Sequence, residues 1–287
     1  MSAGIDSNSA IETFREAAEL NRDDPLRKGS QILLPDYGQV VVTGDLHGHR
    51  RNFAKLVKYC GLASSRSRHV ILQEIIHVDD EDSASTDLSN ELLLEAARWK
   101  VEFPDQVFFI QSNHEVSQLT GRAIMKAGHG VLEGFVAGVE ATYGPDDAPG
   151  VMAAIDGFIE SYPLAARTSN GLFISHSLPS EREMADFDPS ILNRRVTRED
   201  LEDGPADKFL WGRRHSSELL DRLADMLDVE LFILGHQPEP MGFRQVGERL
   251  LILASDHNHG VFLPIDLSKP VAMAELVKRI RKFVSVA

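Results

Sequence analysis

Four apolar runs in this chain each stop at a carboxylate, amide or imidazole, and that recurrence narrows its possible folds more than any other feature. The runs lead into Gly-Asp45-Leu-His47-Gly, Ser-Asn113-His114-Glu115, Ser-His176-Ser and Gly-His236-Gln-Pro. Successive side chains of a strand point to opposite faces, so Asp45 and His47, two apart, face one side where their strand frays. One carboxylate and one imidazole then share a cation, and Gly44 and Gly48 clear space for a sharp turn or a close ligand. The alternative for this loop alone is a strand-to-helix turn in which Asp45 caps backbone amides. Open α/β sheets assemble their sites at the carboxyl ends of several strands, and here the suitable residue types recur there four times.

A chain of 287 residues buries a substantial core without staples, and one domain is expected. Its 44 acidic and 30 basic side chains leave a formal net charge of −14. Such a field repels phosphate backbones, so neither nucleic acid nor an anionic membrane is an expected partner. A phosphate ligand requires a locally positive pocket, made by cations and a few arginines. The single cysteine, Cys60, excludes an intrachain disulfide and reads as a packed or surface thiol. With no secretion-type order in residues 1–10 and no bilayer-length apolar run, a cytoplasmic setting is expected.

The periodicity predicts a helical preamble over 1–30, its helix at 11–20, ahead of a main domain over 31–270. Within that domain an amphipathic helix follows the Asp45 loop, a second strand covers 68–77, and a helix covers 88–100. The acidic stretch 79–87 reads as a solvated loop ending in a helix cap. A helical insertion is expected over 116–166, with helices at 123–143 and 148–162, and beyond it shorter strands with a helix at 216–227. Two sheets packed face to face with helices outside is the inferred class, α/β. A basic amphipathic helix is expected to close the chain over 271–287, docked on the body.

Taken in order, the four clusters resemble the calcineurin-like metallophosphoesterases, and more narrowly their phosphoprotein phosphatase branch. The likeness extends from about residue 34 to 267 and takes in Tyr162-Pro-Leu, Phe209-Leu-Trp211 and Ala254-Ser-Asp. It implies a four-layer α/β/β/α sandwich of two mixed sheets flanked by helices, with two divalent cations at the strand ends. By that resemblance Asp45 and His47 hold the first cation, Asn113, His176 and His236 the second, and a carboxylate bridges both. His114 is the implied general acid, oriented by a neighbouring acidic side chain. Two cations about 3.5–4 Å apart share a hydroxide and clamp the phosphoryl oxygens during in-line displacement. The mixed oxygen and nitrogen donors suit Mn, Fe or Zn better than Mg or Ca.

The second motif departs from the family. Where relatives read Gly-Asp-x-x-Asp-Arg-Gly, this chain reads Gln73-Glu74-Ile-Ile-His77-Val78-Asp79. Glu74 is therefore assigned as the bridging carboxylate, its alternative being a surface carboxylate at a strand end. His77 stands where the acid partner of His114 is expected, and Val78 where a phosphate-holding arginine is expected. Asp79, Asp80 or Asp82 are candidates for the acid. Arg195 is chosen as the phosphate ligand, since a guanidinium meets two phosphoryl oxygens at once, against the alternative of a solvated helix face. Arg50, Arg51, His49, His257 and His259 are lesser candidates for the pocket.

The function expected is hydrolysis of a phosphomonoester, either a phosphoserine or phosphothreonine protein or a small phosphate ester. The competing reading, prompted by the altered motif, is a catalytically impaired relative that serves as a phosphate- or protein-binding regulatory module.

Overall fold

A computed structural model describes residues 6–78, 86–126 and 129–286 of the chain. Helix α1 (Ser7–Arg22) and short strands β1 (Arg27–Lys28) and β2 (Gln31–Leu33) precede the long strand β3 (Gln39–Asp45). Helices and strands then alternate through α2 (Arg50–Cys60), β4 (Arg68–Gln73), α3 (Ser89–Glu102), β5 (Val107–Phe109) and α4 (Asn113–Thr120). A hairpin of β6 (Met125–Lys126) and β7 (His129–Gly130) leads to α5 (Val131–Tyr143) and α6 (Ala148–Ile159). The second half holds β8 (Ala165–Arg167), β9 (Leu172–Ser175), α7 (Arg198–Glu202), α8 (Ser217–Leu227) and β10 (Leu231–Leu234). It ends with β11 (Phe243–Val246), β12 (Leu250–Leu253), β13 (Val261–Asp266), α9 (Met273–Arg279) and β14 (Arg281–Lys282).

Two mixed sheets carry the architecture, ordered β14-β13-β3-β4-β5 and β1-β2-β8-β9-β10-β12-β11. β3, β4 and β5 run parallel, as do β9, β10 and β12, so the carboxyl ends of each set emerge together. Strands covered on both faces read as near-continuous apolar runs, and these do through their middles, with polar residues toward the ends of β3, β4 and β9. Val40, Val42, Ile71 and Phe108 join Ile174, Ile233, Leu251 and Leu253 in a core between the sheets. The intervening Val41, Val70, Phe173 and Phe232 belong instead to a core shared with helix residues such as Phe53, Leu93 and Leu220. That alternation makes the four layers, helix, sheet, sheet, helix. At the upper edge the sheets touch directly through a parallel bridge between Asp45 and Ala254. Glycine is required for this approach, because a Cβ on Gly44 would stand 2.0 Å from the Leu253 carbonyl oxygen. Among the described residues no helix is long and apolar enough to cross a membrane.

Three expected elements are shorter than their periodicity suggests. The strand expected over 68–77 stops at Gln73, because Glu74 turns into left-handed backbone with φ 45°. The helix expected from 123 starts at Val131, after the hairpin. The terminal helix expected over 271–287 is confined to Met273–Arg279, and Arg281–Lys282 adds an edge strand to β13 instead. The reason is burial of Phe283, whose ring lies 4.9 Å from Phe262 and whose amide donates to the Gly260 carbonyl at 3.1 Å. Continuing the helix would surrender both.

Candidate metal centre

The six side chains assigned as ligands follow five different strands in two sheets, and the fold brings all six to one place. Asp45 ends β3 and His47 follows it, Glu74 follows β4, and Asn113 opens α4 after β5. His176 and His236 follow β9 and β10 in the other sheet. All six are buried. The loops that carry them are tied by backbone bonds: the amides of Leu46 and His47 donate to the Glu74 carbonyl at 2.8 and 2.9 Å. Buried Glu115 braces the same turn, accepting from the Ile75 amide at 2.6 Å while bonded to the Ser112 hydroxyl.

Asn113 Oδ1 lies 2.7 Å from His176 Nε2 and 2.8 Å from His236 Nδ1. Glu74 carboxylate oxygens lie 3.5 Å from His176 Nε2 and 3.6 Å from His47 Nε2. Two triads of potential ligand atoms result, each within 4.8 Å: His47, Glu74 and His114, and Asp45, Glu74 and His176. Glu74 is common to both.

The donor chemistry fits a divalent cation. Gln73 donates its amide nitrogen to the Thr43 carbonyl at 2.8 Å, which turns its Oε1 toward His176 Nδ1 at 2.9 Å. That oxygen only accepts, so the His176 proton sits on Nδ1 and its Nε2 lone pair faces the Asn113 oxygen. Two acceptors 2.7 Å apart repel each other unless a cation holds both. Neighbouring ligand atoms about 2.0–2.2 Å from one metal ion lie roughly 2.8–3.1 Å apart at right angles, so a bound cation would hold these two at close to this separation. Burial also keeps the imidazoles in their neutral, ligating form: it lowers His176 far below the ordinary value, and with the Arg213 cation lowers His236 to about 3. Burial raises the Asp45 carboxyl above the ordinary carboxylate range, a penalty that a cation removes.

His114 Nε2 faces the same cluster, 3.9 Å from a Glu74 oxygen. On its other side His114 Nδ1 lies 3.0 Å from His77 Nδ1, so the position expected to hold an acid holds an imidazole in direct contact with His114. The candidate acids Asp79, Asp80 and Asp82 lie outside the described residues.

The structure places Arg195 away from the cleft. Its guanidinium donates to the Arg22 carbonyl at the end of α1, and it does not line the cleft. Arg194 is held by Asp200, and Arg50 by Glu91 and Glu95. His49 caps α2, His257 binds the Glu239 carbonyl, and His259 is exposed. The arginine that reaches the cleft is Arg213, whose Nε lies 3.0 Å from His236 Nε2. It lines a space of about 80 Å³ together with Asp45, His47, Glu74, Asn113, His114 and His236. No local sequence pattern singles it out; the carbonyl of Trp211, two residues before it, lies 3.2 Å from the same His236 nitrogen.

A family model for calcineurin-like phosphoesterases matches residues 38–240. Serine/threonine-protein phosphatase rdgC of Drosophila melanogaster is 29% identical over 177 residues, 60% of this chain and 24% of the fly protein. Serine/threonine-protein phosphatase 7 of Arabidopsis thaliana is 27% identical over 165 residues, 58% of this chain and 34% of the plant protein. The match thus spans between a quarter and a third of the length of these relatives. Among solved structures, a Saccharomyces cerevisiae protein serine/threonine phosphatase with similarity to human phosphatase PP5 superposes with TM-score 0.68. That superposition covers 91% of this chain and 83% of the yeast chain at 16% identity, a likeness of fold.

Proposed function

The chain belongs to the calcineurin-like phosphoesterase family, and from that membership we propose that it is a metal-dependent phosphomonoesterase acting on phosphoserine or phosphothreonine in proteins. The observation that carries this reading is the convergence of the assigned side chains around Glu74, which the triads His47, Glu74 and His114 and Asp45, Glu74 and His176 share; the division into two cation sites follows the family resemblance. Asp45, His47 and Glu74 would hold one divalent cation, and Glu74, Asn113, His176 and His236 a second, of Mn, Fe or Zn character. Bound there, such ions lower the pKa of water and neutralise phosphoryl oxygens.

The chain's own residues supply the rest. Arg213 offers a guanidinium at the mouth of the cleft, where two of its N–H groups can meet phosphoryl oxygens in an otherwise acidic protein. His114 presents Nε2 to the cleft and gives a proton to the departing oxygen, which matters most for the poor alkoxide leaving group of serine. The printed names of the relatives, both serine/threonine-protein phosphatases, support this substrate class. The lone, buried Cys60 suits a reducing, cytoplasmic compartment.

The test is metal analysis paired with hydrolysis of a phosphoserine peptide. Two metal equivalents per chain and activity that falls about 10²-fold or more in His114→Asn are expected. Metal-replete protein that is inert toward phosphopeptides and aryl phosphates alike would instead establish the binding module.

A further inference from the structure

We infer that His77, backed by Gln118, is a positioning residue for His114: it fixes the ring and leaves Nε2, rather than Nδ1, presented to the cleft. The inference rests on the phosphoesterase reading for its role in turnover, but the proton arrangement itself is a property of the folded chain.

His77 is fully buried, and its ring is clamped edge-on by Phe135 at 5.6 Å. Its amide donates to the Ser89 hydroxyl at 3.0 Å, and its backbone is left-handed with φ 64°. The ring thereby spans two partners, Gln118 Oε1 at 3.0 Å from Nε2 and His114 Nδ1 at 3.0 Å from Nδ1. An amide oxygen only accepts, so the hydrogen of a neutral His77 lies on Nε2 and its Nδ1 accepts. His114 must then donate from Nδ1. Its Nε2 is left directed at the cleft, beside Glu74. During hydrolysis His114 enters as the imidazolium, its Nε2 proton taken up from solvent; the bond from phosphorus to the leaving oxygen breaks with its electron pair on that oxygen, which takes that proton and leaves the neutral Nδ1–H ring. The Nδ1 hydrogen stays shared with His77 throughout.

The test combines imidazole ¹⁵N NMR of the metal-free protein with two rates on the manganese-loaded protein. Wild type is expected to show His114 as the Nδ1–H tautomer with a strongly hydrogen-bonded proton. His77→Gly, chosen because glycine accepts the left-handed backbone, is expected to lose that signal, and His77→Asn, which keeps an acceptor near Nδ1, to retain it. With metal bound, His77→Gly should slow hydrolysis of a phosphoserine peptide by about tenfold or more while changing p-nitrophenyl phosphate hydrolysis little, since only the poor leaving group needs the acid. If His77→Gly does not fold, Gln118→Leu is the second variant, and a mixture of His114 tautomers is expected. An Nε2–H tautomer in wild type, or an equal loss on both esters, would overturn the inference. Inactivity of wild type toward both esters refutes the phosphoesterase reading, and the tautomer measurement still decides the proton arrangement.

Discussion

His47, Glu74, His77 and His236 surround the cleft with φ of 41°, 45°, 64° and 66°, a left-handed backbone that side-chain-bearing residues rarely adopt. Each such residue costs on the order of 1–3 kcal/mol and survives only where its surroundings hold it. At Glu74 the restraints are visible: two amides donate to its carbonyl, and Glu115 holds the next amide. The strain aims the carboxylate across the strand ends instead of along β4, so Glu74 reaches both triads despite its extra methylene. Close approach matters as much as strain. A Cβ on Gly235 would stand 2.2 Å from Asp45 Oδ1 and 2.8 Å from Gln73 Oε1, displacing one ligand and the amide that orients another. Gly235→Ala is expected to keep the circular dichroism of the fold, lose bound metal, and lower phosphatase activity on the order of a hundredfold. Full metal content at wild-type rate would show that Gly235 is not a spacer. The identities of these residues were legible in the sequence because each directly follows an apolar run. Arg213 was not, because no local pattern in the irregular stretch before α8 shows which of several arginines turns inward. Arg195 is taken by a carbonyl of α1, a contact between positions far apart in the chain.

Most elements that carry ligands had readable ends, since an apolar strand stops where polar residues begin; β4 is the exception, because Ile75 and Ile76 prolong its apolar run past the turn at Glu74. The C-terminal segment shows the opposite case, where helical spacing was present but a ladder with β13 and the buried Phe283 prevailed. The helical layer has its own polar fastening. Lys100 of α3, with no solvent exposure, donates to Asp24 at 3.1 Å and to the Pro104 carbonyl at 2.6 Å, tying α3 to the chain just beyond α1. Burial lowers the Lys100 pKa while Asp24 opposes that shift. Removing one partner strands a buried charge, whereas replacing both removes the desolvation cost along with the attraction. Asp24→Asn is therefore expected to cost about 3–5 kcal/mol in urea unfolding, and adding Lys100→Met to recover much of it. A double variant as unstable as the sum of its singles would contradict a coupled pair. Cys60, at the end of α2, is buried with its thiol pushed up to about 12. It should react with a disulfide reagent only as the protein unfolds.

For the whole molecule, cations at this place join one sheet to the other, because Asp45, His47, Glu74 and Asn113 come from one and His176 and His236 from its partner. Stability should then depend on metal and pH together. Burial sets His236 near 3 and His69 near 4, and His176 also well below 6.5, so the folded chain refuses protons that the unfolded chain accepts near pH 6.5. The stability these imidazoles contribute is present above pH 6.5 and drains as pH falls toward about 3. Asp45 runs the other way: its folded pKa is raised from 3.8, so its contribution is full below 3.8 and is lost as pH rises toward neutrality. A divalent cation cancels the Asp45 penalty and competes with the proton that this carboxyl otherwise holds. Chelated protein is therefore expected to be most stable at mildly acidic pH, and manganese at about 100 times its Kd to add about 2.7 kcal/mol per bound ion at pH 7.5, a rise in Tm of about 4–5 °C for each. Near pH 5 the same manganese concentration should raise Tm less, because Asp45, its carboxyl raised to about 7, then carries a proton that the metal has to displace. Calorimetric scans at both pH values, with and without chelator, separate the outcomes, and an equal metal-dependent rise at pH 5 and pH 7.5 would mean that the ion binds somewhere other than among these buried side chains.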